Sequence, residues 1–141
     1  MTGEFPTYNL AQRLKKINFD EPCFAFYQEE YHQIVPIMVD DNDQYRVSGY
    51  RTCKNSEIPN HYTAAPTFQS VFKWFRDNYN LFCEIQIDRT AEPKFCFEIF
   101  QYEHFGNYKK IEVEEWYLYR TLEEAELAIL DKLIQIVETS Q

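Results

Sequence analysis

The stretch that begins at Thr121 constrains the fold most, because its pattern is that of a helix with one broad apolar face. Thr121 and Glu124 have the T-x-x-E spacing of a capping box at its start. Apolar residues then recur at steps of three and four, at Leu122, Ala125, Ile129, Leu133 and Ile136. A stripe this wide is buried against a sheet or another helix, so the rest of the chain must supply that surface.

Two further segments have helical periodicity. Residues 67–79 follow Pro66, which fits the first turn of a helix, and they place Val71 and Phe75 on one apolar face. Residues 9–17 form a shorter pattern anchored by Leu10 and Leu14. The sequence therefore predicts three helices.

Alternation of apolar and polar residues predicts strands over much of the remaining chain. They cover residues 23–28, 34–39 and 45–51 in the first half and residues 81–88, 95–103 and 111–119 in the second. Residues 53–65 are expected to form a polar loop. Short connections favour antiparallel pairing. We therefore expect one α+β domain over residues 1–141, in the order α-βββ-α-βββ-α, with the helices on one face of an antiparallel sheet.

The two halves share a weak echo. The run C-F-A-F-Y-Q at residues 23–28 resembles C-F-E-I-F-Q at residues 96–101. A duplicated βββα unit would produce this similarity, but aromatic-rich strands also resemble each other by chance. We favour chance over duplication.

The charge balance is acidic, with 23 Asp and Glu against 14 Lys and Arg, and a net charge of −9. Direct nucleic-acid binding is disfavoured, because such proteins need a basic surface. Nothing at the N-terminus has the pattern of a signal peptide, and no apolar run is long enough to span a bilayer. We expect a cytoplasmic protein without membrane contact.

Cysteine and histidine give only a weak indication of chemistry. The four cysteines, at positions 23, 53, 83 and 96, lack the Cys-x-x-Cys spacing of zinc sites. We expect reduced cysteines that act mainly as small core residues, and neither a metal nor another cofactor. Cys53 and His61 share the predicted loop and are the one nucleophile–base pair worth testing.

Aromatic residues are the more informative feature, at 18% of the chain. A domain of this size cannot bury all of them, and Tyr and Trp are enriched at protein interfaces. The alternative is that they are sheet residues half covered by long neighbours. The candidate interface residues are Tyr27, Tyr45, Tyr50, Tyr102, Trp116, Tyr117 and Tyr119.

Residues 65–76 (A-P-T-F-Q-S-V-F-K-W-F-R) and residues 116–125 (W-Y-L-Y-R-T-L-E-E-A) resemble a group of small uncharacterised proteins. These occur in phages, prophages and mobile elements of Bacteroides-type bacteria. The resemblance covers about the second half of the chain. It implies an accessory protein of an acquired element and brings no catalytic residues.

Three functions follow as hypotheses. The first is a non-enzymatic binding or assembly module that contacts a protein partner, or itself as a homodimer, through an aromatic and acidic sheet surface. The second is a small enzyme built around Cys53 and His61. The third is an acidic decoy for a nucleic-acid-binding protein.

Overall fold

A computed structural model describes residues 4–28, 34–36, 38–40, 45–50, 52–89, 92, 94–113 and 118–140. For residues 34–36, 38–40, 45–50 and 105 it describes the backbone. The chain divides into two compact units, Met1–Thr67 and Phe68–Gln141. Each unit combines helix with antiparallel sheet, so the predicted α+β class is confirmed. That the chain forms a single domain stays a prediction.

The described elements are three helices and eight strands. The helices are α1 (Tyr8–Lys16), α2 (Phe68–Tyr79) and α3 (Leu122–Ser140). The strands are β1 (Ala25–Gln28), β2 (Ile34–Pro36), β3 (Met38–Asp40), β4 (Tyr45–Tyr50), β5 (Tyr62–Ala64), β6 (Leu81–Asp88), β7 (Lys94–Tyr102) and β8 (Tyr108–Ile111). Each helix begins within one residue of the position that the sequence predicts.

The first unit is built around α1 and a three-stranded antiparallel sheet in the order β2-β1-β5. Thr7 caps the helix, because its hydroxyl oxygen accepts from the backbone N–H of Leu10 at 3.3 Å. Ala11 of the helix lies in a buried cluster with β1. The ammonium of Lys15 donates to the carbonyls of Asn60 and Tyr62, at 2.9 and 2.8 Å, and so ties α1 to the start of β5.

The predicted strand order is wrong in this unit, since five strands rather than three separate α1 from α2. Pro36 explains part of the difference: it lacks the N–H needed to continue a ladder, and the predicted strand 34–39 is divided between two sheets. β3 pairs with β4 in a sheet of their own. Strand β5 lies inside the predicted loop and pairs with β1.

Asn55 shows why the predicted loop is structured. It begins a single 3₁₀ turn, and its side-chain amide donates to the carbonyl of Phe19 at 2.9 Å. The amide oxygen of Asn55 accepts from the backbone N–H of Ala64 at 2.8 Å. The Asn55 side chain thus links the predicted loop to Phe19 on one side and to β5 on the other. Local sequence does not reveal contacts of this kind.

The second unit holds an antiparallel sheet in the order β6-β7-β8 with α2 and α3. Asn80 alone joins α2 to β6 and has a left-handed φ of 55°. The charges of Arg76 on α2 and Glu126 on α3 act on the thiol of Cys83, so the side of β6 that carries this thiol is the one nearer to both helices. Leu81 and Ile99 are buried on that face.

Residues 114–117 of the predicted third strand, 111–119, fall outside the described residues. The described strand β8 begins at Tyr108, after Asn107 and a 3₁₀ turn that ends at Gly106 with φ 77°. Tyr119 returns to form one isolated bridge with Phe95. Since Ile99 pairs with Ile111, an unbroken ladder would bring position 115 opposite Phe95, four residues earlier than the residue found there.

The segments that carry the sequence echo are both central strands of three-stranded antiparallel sheets. However, β1 is the first strand after its helix, whereas β7 is the second after α2. The order of elements around them differs, and a duplication stays a prediction.

Candidate functional site: the outer face of the second sheet

Strand register sorts the side chains of the second sheet onto two faces. Leu81 pairs with Gln101 and Asp88 with Lys94, so residues of the same parity share one face across β6 and β7. Odd-numbered positions form the helix-side face, whose members are Leu81, Cys83, Ile85, Ile87, Phe95, Phe97, Ile99, Gln101, Lys109 and Ile111. Even-numbered positions form the opposite surface, here called the aromatic–acidic face, made by Phe82, Glu84, Gln86, Asp88, Lys94, Cys96, Glu98, Phe100, Tyr102, Tyr108 and Lys110, with Glu112 directly after β8.

Four aromatic rings lie in contact at one end of the aromatic–acidic face. The ring centroids of Phe82 and Tyr102 are 4.7 Å apart, and those of Phe100 and Tyr108 are 5.5 Å apart, both in edge-to-face geometry. Tyr102 and Tyr108 are 5.9 Å apart and complete the cluster. The two tyrosines remain 43% and 62% exposed. A continuous aromatic surface therefore spans all three strands.

A row of carboxylates crosses the sheet beside these rings. Glu84 lies directly opposite Glu98, and Glu112 directly follows Ile111, the last residue of β8, which pairs with Ile99. Like charges directly opposite each other on a sheet repel. The residues that the structure describes include no group of three or more side chains able to hold a metal.

Lys110 offsets part of this repulsion. Its ammonium donates to one carboxylate oxygen of Glu98 at 3.0 Å, and the side-chain amide of Gln86 donates to the other at 3.4 Å. The hydrogen bond and the charge of Glu98, with the charge of Glu112, raise the pKa of Lys110. Across the described part of the chain, Glu84 has no ion-pair partner. With the paired Asp88 and Lys94, four carboxylates stand against two ammonium groups, which leaves the face net negative.

Of the seven candidate interface residues, only Tyr102 lies on this face with a described side chain. Tyr27 is buried in the core of the first unit at 3% exposure, and its hydroxyl donates to the carbonyl of Pro6. A ring buried to this degree presents almost no surface to a partner. Tyr119 is half-buried, pairs with Phe95 and stacks on Phe97 on the helix-side face.

The side chains of the other four candidates are not among those that the structure describes. Tyr45 and Tyr50 lie on β4, and their side chains fall outside the described residues. Trp116 and Tyr117 fall outside the described residues altogether.

The candidate interface residues chosen from the sequence did not include Phe82, Phe100 or Tyr108. The alternation in β6 already separates Phe82 from Leu81 and Cys83, so that ring could have been assigned to the outer face. Phe100 and Tyr108 depend on the register across β7 and β8, which a hydrophobic pattern without the turn geometry does not supply.

The alternative site at Cys53 and His61 lacks the features of an activated nucleophile. Cys53 is buried at 7% exposure and pairs through its backbone with Cys23. His61 is exposed, with its ring centroid 4.2 Å from that of Tyr62. Catalytic cysteines are partly exposed and electropositive. Cys83, in the second unit, is not an activated thiol either, because burial raises its pKa to about 11.

No family model, no curated protein and no solved structure matches the chain. Among the described helices, none has the length and apolar character required to cross a membrane.

Proposed function

We propose that the chain is a non-enzymatic protein-binding module whose contact surface is the aromatic–acidic face. The observation that carries this proposal is the exposed aromatic cluster, in which Tyr102 and Tyr108 extend the half-buried rings of Phe82 and Phe100 into solvent. Large, rigid rings at the centre of a surface supply most of the binding energy in protein interfaces. Their contact with each other fixes the rings before a partner arrives, which lowers the entropic cost of binding.

The charge of the face selects the class of partner. The face carries the carboxylates of Glu84, Asp88, Glu98 and Glu112 against the ammonium groups of Lys94 and Lys110, so it attracts a segment with Lys or Arg side chains. Cations also bind favourably over aromatic rings. The proposed partner is therefore a separate protein that presents a basic segment with interspersed apolar residues.

The same charges argue against self-association through this face. A symmetric homodimer would bring two copies of one surface together, and with them two rows of glutamates. The whole chain carries a net charge of −9, which adds repulsion between copies. A homodimer is thus the competing outcome of the test rather than the proposal.

The cellular context proposed from the sequence resemblance fits such a module. An accessory protein of an acquired element in the bacterial cytoplasm acts through its partners. The decoy hypothesis has less support, because the carboxylates of this face form one short row bordered by aromatic rings rather than an extended path of charge.

The test uses a defined probe, a twelve-residue peptide of alternating Lys and Leu, with a Gln–Leu peptide as its neutral counterpart. We expect NMR amide shifts on titration with the basic peptide to concentrate in β6, β7 and β8. Tyr108→Ser and Glu84→Gln should each weaken binding, by about tenfold and about threefold. The matched controls are Phe24→Ser and Glu57→Gln, which change an exposed ring and an exposed carboxylate in the first unit.

Two results would overturn the proposal. Equal weakening by the control variants would show that the peptide binds the acidic protein without a defined site. Sedimentation that shows a dimer broken by Tyr108→Ser would assign the face to a second copy of the chain instead.

A further inference from the structure

Cys23 and Cys53 lie opposite each other in the first unit, whose residues form no part of the aromatic–acidic face. They form an isolated antiparallel bridge in which each backbone N–H donates to the carbonyl of the other, both at 2.8 Å. The two side chains of such a pair point to the same side of the bridge. Both residues are buried, at 3% and 7% exposure.

The bridge geometry places the two Cα atoms at a separation that disulfides also have. Antiparallel pairs that exchange both hydrogen bonds have Cα atoms about 5.5 Å apart, inside the range of about 4.4 to 6.8 Å found for disulfides. In such hydrogen-bonded pairs the Cβ atoms lie towards the far end of the range of about 4.5 to 5.5 Å, roughly 1 Å beyond the 3.5 to 4.5 Å that a relaxed disulfide prefers. A bond formed here needs the two chains to approach each other, and the resulting strain makes it easier to reduce and subtracts from the stabilisation that loop closure gives.

The other two cysteines cannot form an equivalent bond with each other. Cys83 lies on the helix-side face of β6, opposite Ile99. Cys96 lies on the other face of the same sheet, opposite Gln86. Because their side chains point to opposite sides of the sheet, they serve as internal controls for geometry.

We propose that Cys23 and Cys53 form a reversible disulfide by thiol–disulfide exchange with a low-molecular-weight disulfide such as oxidised glutathione. One protein thiolate attacks a sulfur of the small disulfide, forming a mixed disulfide and releasing one small thiolate. The second protein thiolate then attacks the protein sulfur of the mixed disulfide and releases the other small thiolate. Two protein thiols are oxidised, one small disulfide is reduced to two thiols, and the two protons pass to the released thiolates.

The disulfide would stabilise the first unit. It closes the chain between positions 23 and 53, which contains β1, β2, β3 and β4. Closing a loop of this length restricts the unfolded chain more than the folded one. Burial raises the pKa of Cys23 to about 12, so exchange proceeds through local opening of the bridge and is slow in the closed state.

The test is equilibration of the purified full chain in glutathione buffers of increasing oxidised fraction, followed by alkylation and peptide mass mapping. We expect Cys23–Cys53 as the intramolecular disulfide, reversed by dithiothreitol, with an upward shift in melting temperature of roughly 5 to 15 °C. The Cys83→Ala/Cys96→Ala double variant should show the same crosslink and the same shift.

The matched negative control is Cys53→Ala, which should show neither the crosslink nor the shift. Should that variant fail to fold, Cys23→Ala serves in its place, and circular dichroism checks the fold of each. The proposal is overturned if positions 23 and 53 stay reduced under buffers that modify Cys83 or Cys96, or if the crosslink forms only in denaturant.

Discussion

The two faces of the β6-β7-β8 sheet come from the same three strands and share one backbone, yet they differ in burial and in role. Ile99 on the helix-side face is fully buried, whereas its sequence neighbour Phe100 belongs to an exposed aromatic cluster. Alternation along each strand thus separates residues that hold the unit together from residues available to a partner. Changes on one face can therefore be made while the other stays intact, and this independence can be tested.

The largest expected difference is in the free energy of unfolding, and it separates Ile99→Ala from Tyr108→Ser. Removing the fully buried isoleucine leaves a cavity and should lower the free energy of unfolding by about 2 to 5 kcal/mol. Changing the exposed tyrosine should alter it by less than about 1 kcal/mol. Urea denaturation of both variants checks this. Comparable losses would mean that the outer face is part of the folding core.

The second prediction concerns the buried thiol of Cys83 and its effect on the free energy of unfolding at alkaline pH. Burial raises the pKa of its thiol from 9.0 to about 11, with opposing effects of Arg76 and Glu126. The folded state therefore keeps a proton that the unfolded state loses, so this stabilisation is complete below pH 9 and falls as pH rises towards 11. The loss is at most about 1.4 kcal/mol per pH unit.

Cys83→Ala should make the pH dependence between 9 and 11 shallower, and this slope is the readout because the substitution also changes stability at every pH. Thr139→Ala, at an exposed position of α3, is the control. Denaturation midpoints measured at four pH values would decide. An unchanged slope would show that the thiol is solvated in the folded protein.

The third prediction concerns Asn80, whose conformation decides which residue of β6 faces the helices. Asn80→Val should cost about 1 to 2 kcal/mol, because a β-branched residue is disfavoured at its φ of 55°. Asn80→Gly should be tolerated within about 0.5 kcal/mol. Thermal unfolding of the pair checks this, and equal stability of Val and Gly would contradict it.

The smallest expected effect is that of Lys110→Gln on binding. Removing the ammonium that neutralises Glu98 should strengthen binding of the Lys–Leu peptide by about two- to fivefold. Calorimetric titration at low salt checks this, and the gain should shrink as salt screens the charges. Weaker binding would indicate that Lys110 orders the face rather than competing with the partner.

Much of the second unit could be predicted from sequence because its signals are local. The capping residues before α3 behave as their spacing implies, with the backbone N–H of Glu124 donating to the hydroxyl of Thr121 at 3.1 Å. The alternation in β6 correctly separates Leu81 from Phe82. Such features depend on neighbours within four residues and are therefore visible in the sequence.

The rest depends on distant contacts that local patterns do not contain. Tyr27 and Tyr102 are the same residue type in similar strands, but the hydroxyl of Tyr27 reaches Pro6, 21 positions away, and its ring is buried. Strand β5 exists because Ala64 pairs with Phe26 across almost forty positions. Neither burial nor pairing at such separations follows from propensity.

The single-residue connection between α2 and β6 also limits the insertions and deletions that the chain can tolerate at this junction. One codon inserted or deleted at Asn80 would shift the strand by one position relative to the helix and turn every side chain of β6 to the opposite side. Phe82 and Glu84 would then face the helices, and Leu81 and Cys83 would face solvent. Natural variants should therefore keep this junction at constant length, while in-frame insertions accumulate in the wider connection between Asp88 and Lys94.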